Sequence, residues 1–200
     1  MGGDLQYRSF TPDLEVRSKG DGRTIVGIAV PYNRPEWIGP SLREQFARGV
    51  FNEQLGPVLP GGVLRGANKV VFARDHMIRG GSLIGRASLL KDDATGLYGE
   101  FRVSRTEAGD ETIELVKDGA LTNLSIGFRE ATNRRLPGGI TERVTGALKE
   151  VALVLEGAYG DAALVHAVRG AGLPYPGPPA LAGRPRSDEA RAFLRALNLP

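Results

Sequence analysis

The chain has 200 residues, 41% apolar and 24% charged, the balance of a soluble globular protein rather than a disordered or membrane-spanning one; its length suits one domain burying roughly 70% of its unfolded surface. It has no cysteine and two histidines, His76 and His166, so disulfides, thiol nucleophiles and thiolate metal sites are excluded, a reducing compartment fits, and imidazole chemistry must use one or both rings. The net charge of +3 resides at the C-terminal end, where five arginines from Arg169 onward face only Asp188 and Glu189; residues 1–168 are neutral and lack the concentrated basic face of a nucleic-acid-binding domain.

The start, "MGGDLQYRSF", has no basic region followed by an apolar core, so no secretory signal is expected, and Gln6 breaks the N-myristoylation pattern. No run approaches the ~18 to 20 apolar residues of a membrane span. "TIVGIAV", 24–30, reads as a strand ended by Pro31. In "SLREQFARGVFNEQL", 41–55, Leu42, Phe46, Val50 and Leu55 recur at near-helical spacing; Gly49 interrupts them, so short helical turns are expected.

"NKVVFARDH", 68–76, reads as a strand running into a loop, and residues 82–103 as a β-hairpin turning at "DDATG". "TEAGDETIELVKDG" reads as a helix, with Thr106 or Asp110 to cap it, Ile113 and Val116 on one face and Gly119 to stop it. "ALTNLSIGF" follows as a strand, "LPGGI" as a turn, "ALKEVALVLEG", 147–157, as a strand and "DAALVHAV", 161–168, as a helix. Composition then changes. Residues 169–186 read as a Pro/Gly-rich linker. Residues 187–200 read as a short amphipathic helix or tail, with Ser187 as cap and Phe193, Leu194 and Leu197 on one side.

Four side chains could do chemistry. In the strand 120–128, Leu124, Ile126 and Phe128 share the face that packs inward, and Asn123, Ser125 and Gly127 share the other. Ser125 then points away from that packing, and Gly127 leaves room for another backbone, such as a substrate's. The plain alternative is a serine on a solvated face. A serine hydroxyl is a weak nucleophile until a base takes its proton. His76 lies where a strand enters the Gly-containing loop "MIRGG", a common place for functional residues, although a lone histidine is more often structural. His166, inside "AALVHAV", reads as a helix residue with a polar edge. Glu150, among the apolar residues of "ALKEVALVL", needs a hydrogen-bonding or charged partner if buried. Both faces of that strand are largely apolar, so pattern alone leaves its core side open. "GGSLIG" followed by Arg86 lacks the lysine of a phosphate-binding loop, and neither HExxH nor CxxC occurs; no metal or cofactor is expected.

Taken in order, "GIAVPYN", "LREQFARGVF", "FARDH" before "LIGRASLLKDDATGLYGEFRV", "LVKDGALTNLSIGF" and "LKEVALV" resemble the prohead proteases of tailed bacteriophages, capsid-maturation serine proteases similar to herpesvirus assemblins. The resemblance spans about residues 5–168, with Ala152 where a serine is common and Gly157 where a proline is common. It implies an α+β fold: a mainly antiparallel β-barrel-like core with a few peripheral helices, residues 1–168 being the protease domain. It also implies that Ser125 is the nucleophile, presented from a strand, that His76 is the general base, and that the "LKEVALV" segment supplies the third member. Glu150 is the acidic residue there; His166 and Asp161 are the other candidates.

The implied partners are the major capsid protein precursor, its scaffold segment and the protease itself through autocleavage. A homo-oligomer is compatible; a membrane and a specific nucleic acid are not expected. The implied place is the assembling procapsid in the host cytoplasm. The proline-rich tail reads as a removable peptide that co-packages the enzyme. A catalytically silent capsid-assembly protein is the alternative from another class, and a barrel binding nucleic acid through its basic tail is a second.

Overall fold

The computed structural model of the protein describes residues 4–10, 15–16, 21–38 and 40–155. The expected linker, the C-terminal tail, His166 and Asp161 lie outside them. Among the described residues, ten strands, β1 Leu5–Phe10, β2 Glu15–Val16, β3 Thr24–Pro31, β4 Glu36–Trp37, β5 Arg43–Phe46, β6 Val71–Arg74, β7 Ser82–Asp92, β8 Gly96–Val103, β9 Asn123–Arg135 and β10 Ile140–Val154, form one sheet. The α-helices described are α1 Asn52–Leu55 and α2 Glu107–Lys117.

The sheet runs β1-β9-β10-β6-β7-β8-β3-β2, with β5 alongside the start of β10 and β4 beyond β5. Among the described residues its end strands, β1 and β2, are not paired to each other, and the mainly-strand core with few helices is a curled half-barrel. Most neighbours are antiparallel, but β10 runs parallel to β5 and to β6. Those two parallel pairings matter. The fifteen residues of β10 are long enough for β5 to pair with its first part and β6 with its last, both opposite β9.

The hairpins follow local chemistry. β7 and β8 turn through Asp93–Thr95 within the expected "DDATG". β9 and β10 turn through Pro137–Gly139, where Gly138 and Gly139 take φ of 75° and 74°, a region an L side chain disfavours. Thr106 caps α2 by accepting from the Gly109 N–H at 3.2 Å, and Ile113 and Val116 bury the helix's inner face.

Residues 41–55 are the principal correction. Arg43–Phe46 is extended, and only Asn52–Leu55 is helical. The apparent helical spacing arises because Glu44 and Gln45 are buried polar residues, which hides the strand's pattern. The Glu44 carboxylate, fully buried, accepts from Arg8 on β1 and from Arg143 on β10, whose Nε and Nη2 lie at 2.9 and 2.6 Å. Arg143 also pairs with Glu130 on β9. Burying such ions costs several kcal/mol each unless all are partnered, so the cluster holds β1, β5, β9 and β10 in one arrangement. Behind it Phe128 packs edge-on against Phe46 and Phe51, and Phe72 stacks on Phe101 at 4.7 Å. Each such ring contributes about 1.5–3 kcal/mol through burial.

Candidate active site

Adjacent strands bring together residues far apart in the chain. Ser125 on β9 pairs with Ala152 on β10 and with Ser9 on β1. Two residues on, Gly127 pairs with Glu150 and with Tyr7. On the far side of β10, Glu150 pairs with Val71 and Ala152 with Ala73 of β6. Because partners across strands share a face, Ser125, Glu150, Ala152, Ala73 and Tyr7 all lie on one side of the sheet. Ala73 and Ala152 are small and fully buried, leaving space above them.

His76 enters that space through a local kink. Beyond β6, Asp75 takes φ of 58°, a left-handed conformation that aspartate tolerates better than most residues, while its N–H donates to the Leu153 carbonyl at 2.9 Å. The chain then closes a 3-10 turn over Met77–Arg79, in which the His76 carbonyl accepts from Arg79 and Gly81 N–H groups. A Cβ on Gly81 would lie 2.5 Å from the Asp75 carbonyl oxygen, so this return needs glycine.

The imidazole bridges the other two side chains. His76 Nδ1 is 2.6 Å from Glu150 Oε1, and His76 Nε2 is 2.6 Å from Ser125 Oγ. Ser125 is 0% exposed, His76 4% and Glu150 5%. A carboxylate can only accept, so Nδ1 carries the proton and donates to Glu150. Nε2 then keeps its lone pair and accepts the Ser125 hydroxyl proton. That tautomer is the one in which an imidazole can act as base toward the serine.

Ser125 does not lie on an open face. Its neighbours Leu124, Ile126 and Phe128 pack into the core as expected, but the opposite face of β9 is covered too, and Asn123–Phe128 are all buried. The room beside Gly127 is likewise filled from within. A Cβ there would lie 2.7 Å from Glu150 Cγ and 3.1 Å from Tyr7 Cε1, so the glycine accommodates the carboxylate and a tyrosine ring, not a substrate backbone. Tyr7, which sequence reasoning missed, has its ring centroid 4.1 Å from that of His76, at 59°. Burial and, next, the negative charge of Glu150 raise the Tyr7 phenol above its ordinary pKa, against the opposing charge of Arg79. The alternation of Leu5 and Tyr7 with Gln6 and Arg8 was the available signal for β1.

Among the described residues, no group of three or more His, Asp or Glu side chains is placed to hold a metal ion. No described helix is long and apolar enough to cross a membrane. Residues 12–170 match the family described as caudovirus prohead serine proteases. Among solved structures, the bacteriophage T4 capsid assembly protease is similar at 11% sequence identity and a TM-score of 0.49, over 76% of this chain and 98% of that one. No curated protein matches.

Proposed function

The chain belongs to the caudovirus prohead serine protease family, and from that premise we propose that it is a serine endopeptidase using Ser125 as nucleophile, His76 as general base and Glu150 as the group that orients His76. The observation that carries the reading is the pair of 2.6 Å contacts on opposite nitrogens of a single buried imidazole.

In the proposed reaction Ser125 Oγ attacks the scissile carbonyl carbon while His76 Nε2 takes the hydroxyl proton. The resulting imidazolium is held by its Nδ1–H donation to Glu150, whose charge offsets that of the ring. His76 then returns the proton to the leaving amine as the C–N bond breaks, leaving an acyl-enzyme on Ser125. Water, deprotonated by the same nitrogen, attacks the acyl carbon; the bond from that carbon to Ser125 Oγ breaks as His76 returns the proton to Oγ, releasing the peptide acid and restoring the enzyme. Substrates are the capsid precursor with its scaffold segment, and the protease itself, within the assembling procapsid in the host cytoplasm.

A fluorophosphonate probe tests the reading without needing the natural substrate. The purified protein is expected to gain one adduct, mapping to Ser125 by peptide mass spectrometry, and His76→Ala is expected to suppress it. A folded wild-type protein that gains no adduct at Ser125 removes the hydrolase reading and favours a silent assembly protein.

A further inference from the structure

From the packing around the imidazole, we infer that Tyr7 is a positioning residue that shields the His76–Glu150 hydrogen bond, making strand β1 part of the active site. The inference rests on the serine-hydrolase reading above and names a component that reading does not contain.

Across the sheet, one level of pairing runs Tyr7, Gly127, Glu150, Val71. Gly127 has no side chain, so those of its two neighbours converge over it: a Cβ there would meet Glu150 Cγ at 2.7 Å, Tyr7 Cε1 at 3.1 Å and Glu150 Oε1 at 3.2 Å. The Tyr7 ring therefore leans toward the carboxylate and also lies against the imidazole, centroids 4.1 Å apart. Its pairing level is that of Glu150, one step along the face from the level of Ser125 and Ser9, which sets the ring on the Glu150 side of the imidazole. A ring there excludes water from Nδ1 and limits rotation of the imidazole. It also presents π density to the positive charge that forms when His76 takes a proton. The phenol oxygen is buried and has no hydrogen-bond partner among the described residues. Leaving a phenol unsatisfied is costly, so the ring, rather than a bond made by its hydroxyl, accounts for the side chain's place.

β1 is held in this register from the other face. Arg8, the next residue, pairs with the buried Glu44 and lies 5.7 Å from the Phe128 ring centroid. Strand alternation then sends Tyr7 to the site face. The charge cluster and the active site are thus two sides of one strand.

The test compares wild type with Tyr7→Phe, Tyr7→Leu and Tyr7→Ala in the full chain. It reads the fluorophosphonate labelling rate of Ser125, the melting temperature and the downfield Nδ1 proton resonance of His76. Tyr7→Phe is expected to label within a few-fold of wild type and keep a sharp resonance. Tyr7→Leu and Tyr7→Ala are expected to label about 10²-fold more slowly, the scale of loss from misplacing a catalytic group by about 1 Å, with the resonance broadened by exchange with water. Tyr7→Leu keeps an apolar side chain on β1, so it reports even where Tyr7→Ala does not fold. If Tyr7→Leu labels as fast as wild type and keeps the sharp resonance, the inference is overturned, whatever its melting temperature. Failure of wild type itself to label sinks the hydrolase reading instead, so the two failures are separable.

Discussion

Ser125→Ala is expected to reduce cleavage of a co-expressed capsid precursor or scaffold by on the order of 10⁴-fold or more, with the folded state retained. The substitution removes one oxygen from a fully buried position, and the strand pairing of Ser125 with Ser9 and Ala152 is made by backbone. Its main structural cost is an unpartnered Nε2 on His76, about 1–3 kcal/mol, which melting would register without loss of fold. Chemistry suffers far more, because no other hydroxyl is hydrogen-bonded to this imidazole among the described residues. Gel analysis of the precursor, with melting of the purified variant, checks both halves. Cleavage within about ten-fold of wild type would assign the nucleophile elsewhere.

Glu150→Gln is expected to lower kcat by roughly 10³- to 10⁴-fold while KM changes little. The amide nearly matches the carboxylate in shape, so fold and substrate binding should survive. What changes is the proton. An amide NH₂ facing Nδ1 donates to it and forces the proton onto Nε2, which then donates toward Ser125 Oγ at the 2.6 Å contact instead of accepting from it. An amide oxygen facing Nδ1 keeps the useful tautomer but no longer offsets the imidazolium charge. Either orientation loses transition-state stabilisation. Steady-state kinetics on a peptide from the precursor cleavage site would separate kcat from KM. A variant with near wild-type kcat would shift the third role to Asp161 or His166.

The candidate site was legible in the sequence as an order of blocks more than as a pattern of spacings. His76, Ser125 and Glu150 are 49 and 25 residues apart along the chain, and no local motif links them; their meeting depends on β10 lying between β9 and β6, which is a property of topology. Local chemistry did announce the β7–β8 turn, the Thr106 cap and the Pro137–Gly139 turn, because each rests on residues near in sequence. β5 was misread for the opposite reason. Glu44 is buried because Arg8 and Arg143, 36 and 99 residues away, reach it, and no window around "SLREQF" contains either. Tyr7 and Gly127 follow the same rule. Gly127 was visible as a gap, but what fills the gap comes from two other strands.

A double-mutant cycle on Ser125→Ala and His76→Ala tests the central claim most directly, since two groups sharing one proton transfer act as a unit. With kcat/KM measured on one precursor peptide, the double variant should be no slower than either single variant, each having already removed the transfer. Losses that instead add on a logarithmic scale would mean that hydroxyl and imidazole act independently, and would contradict the mechanism.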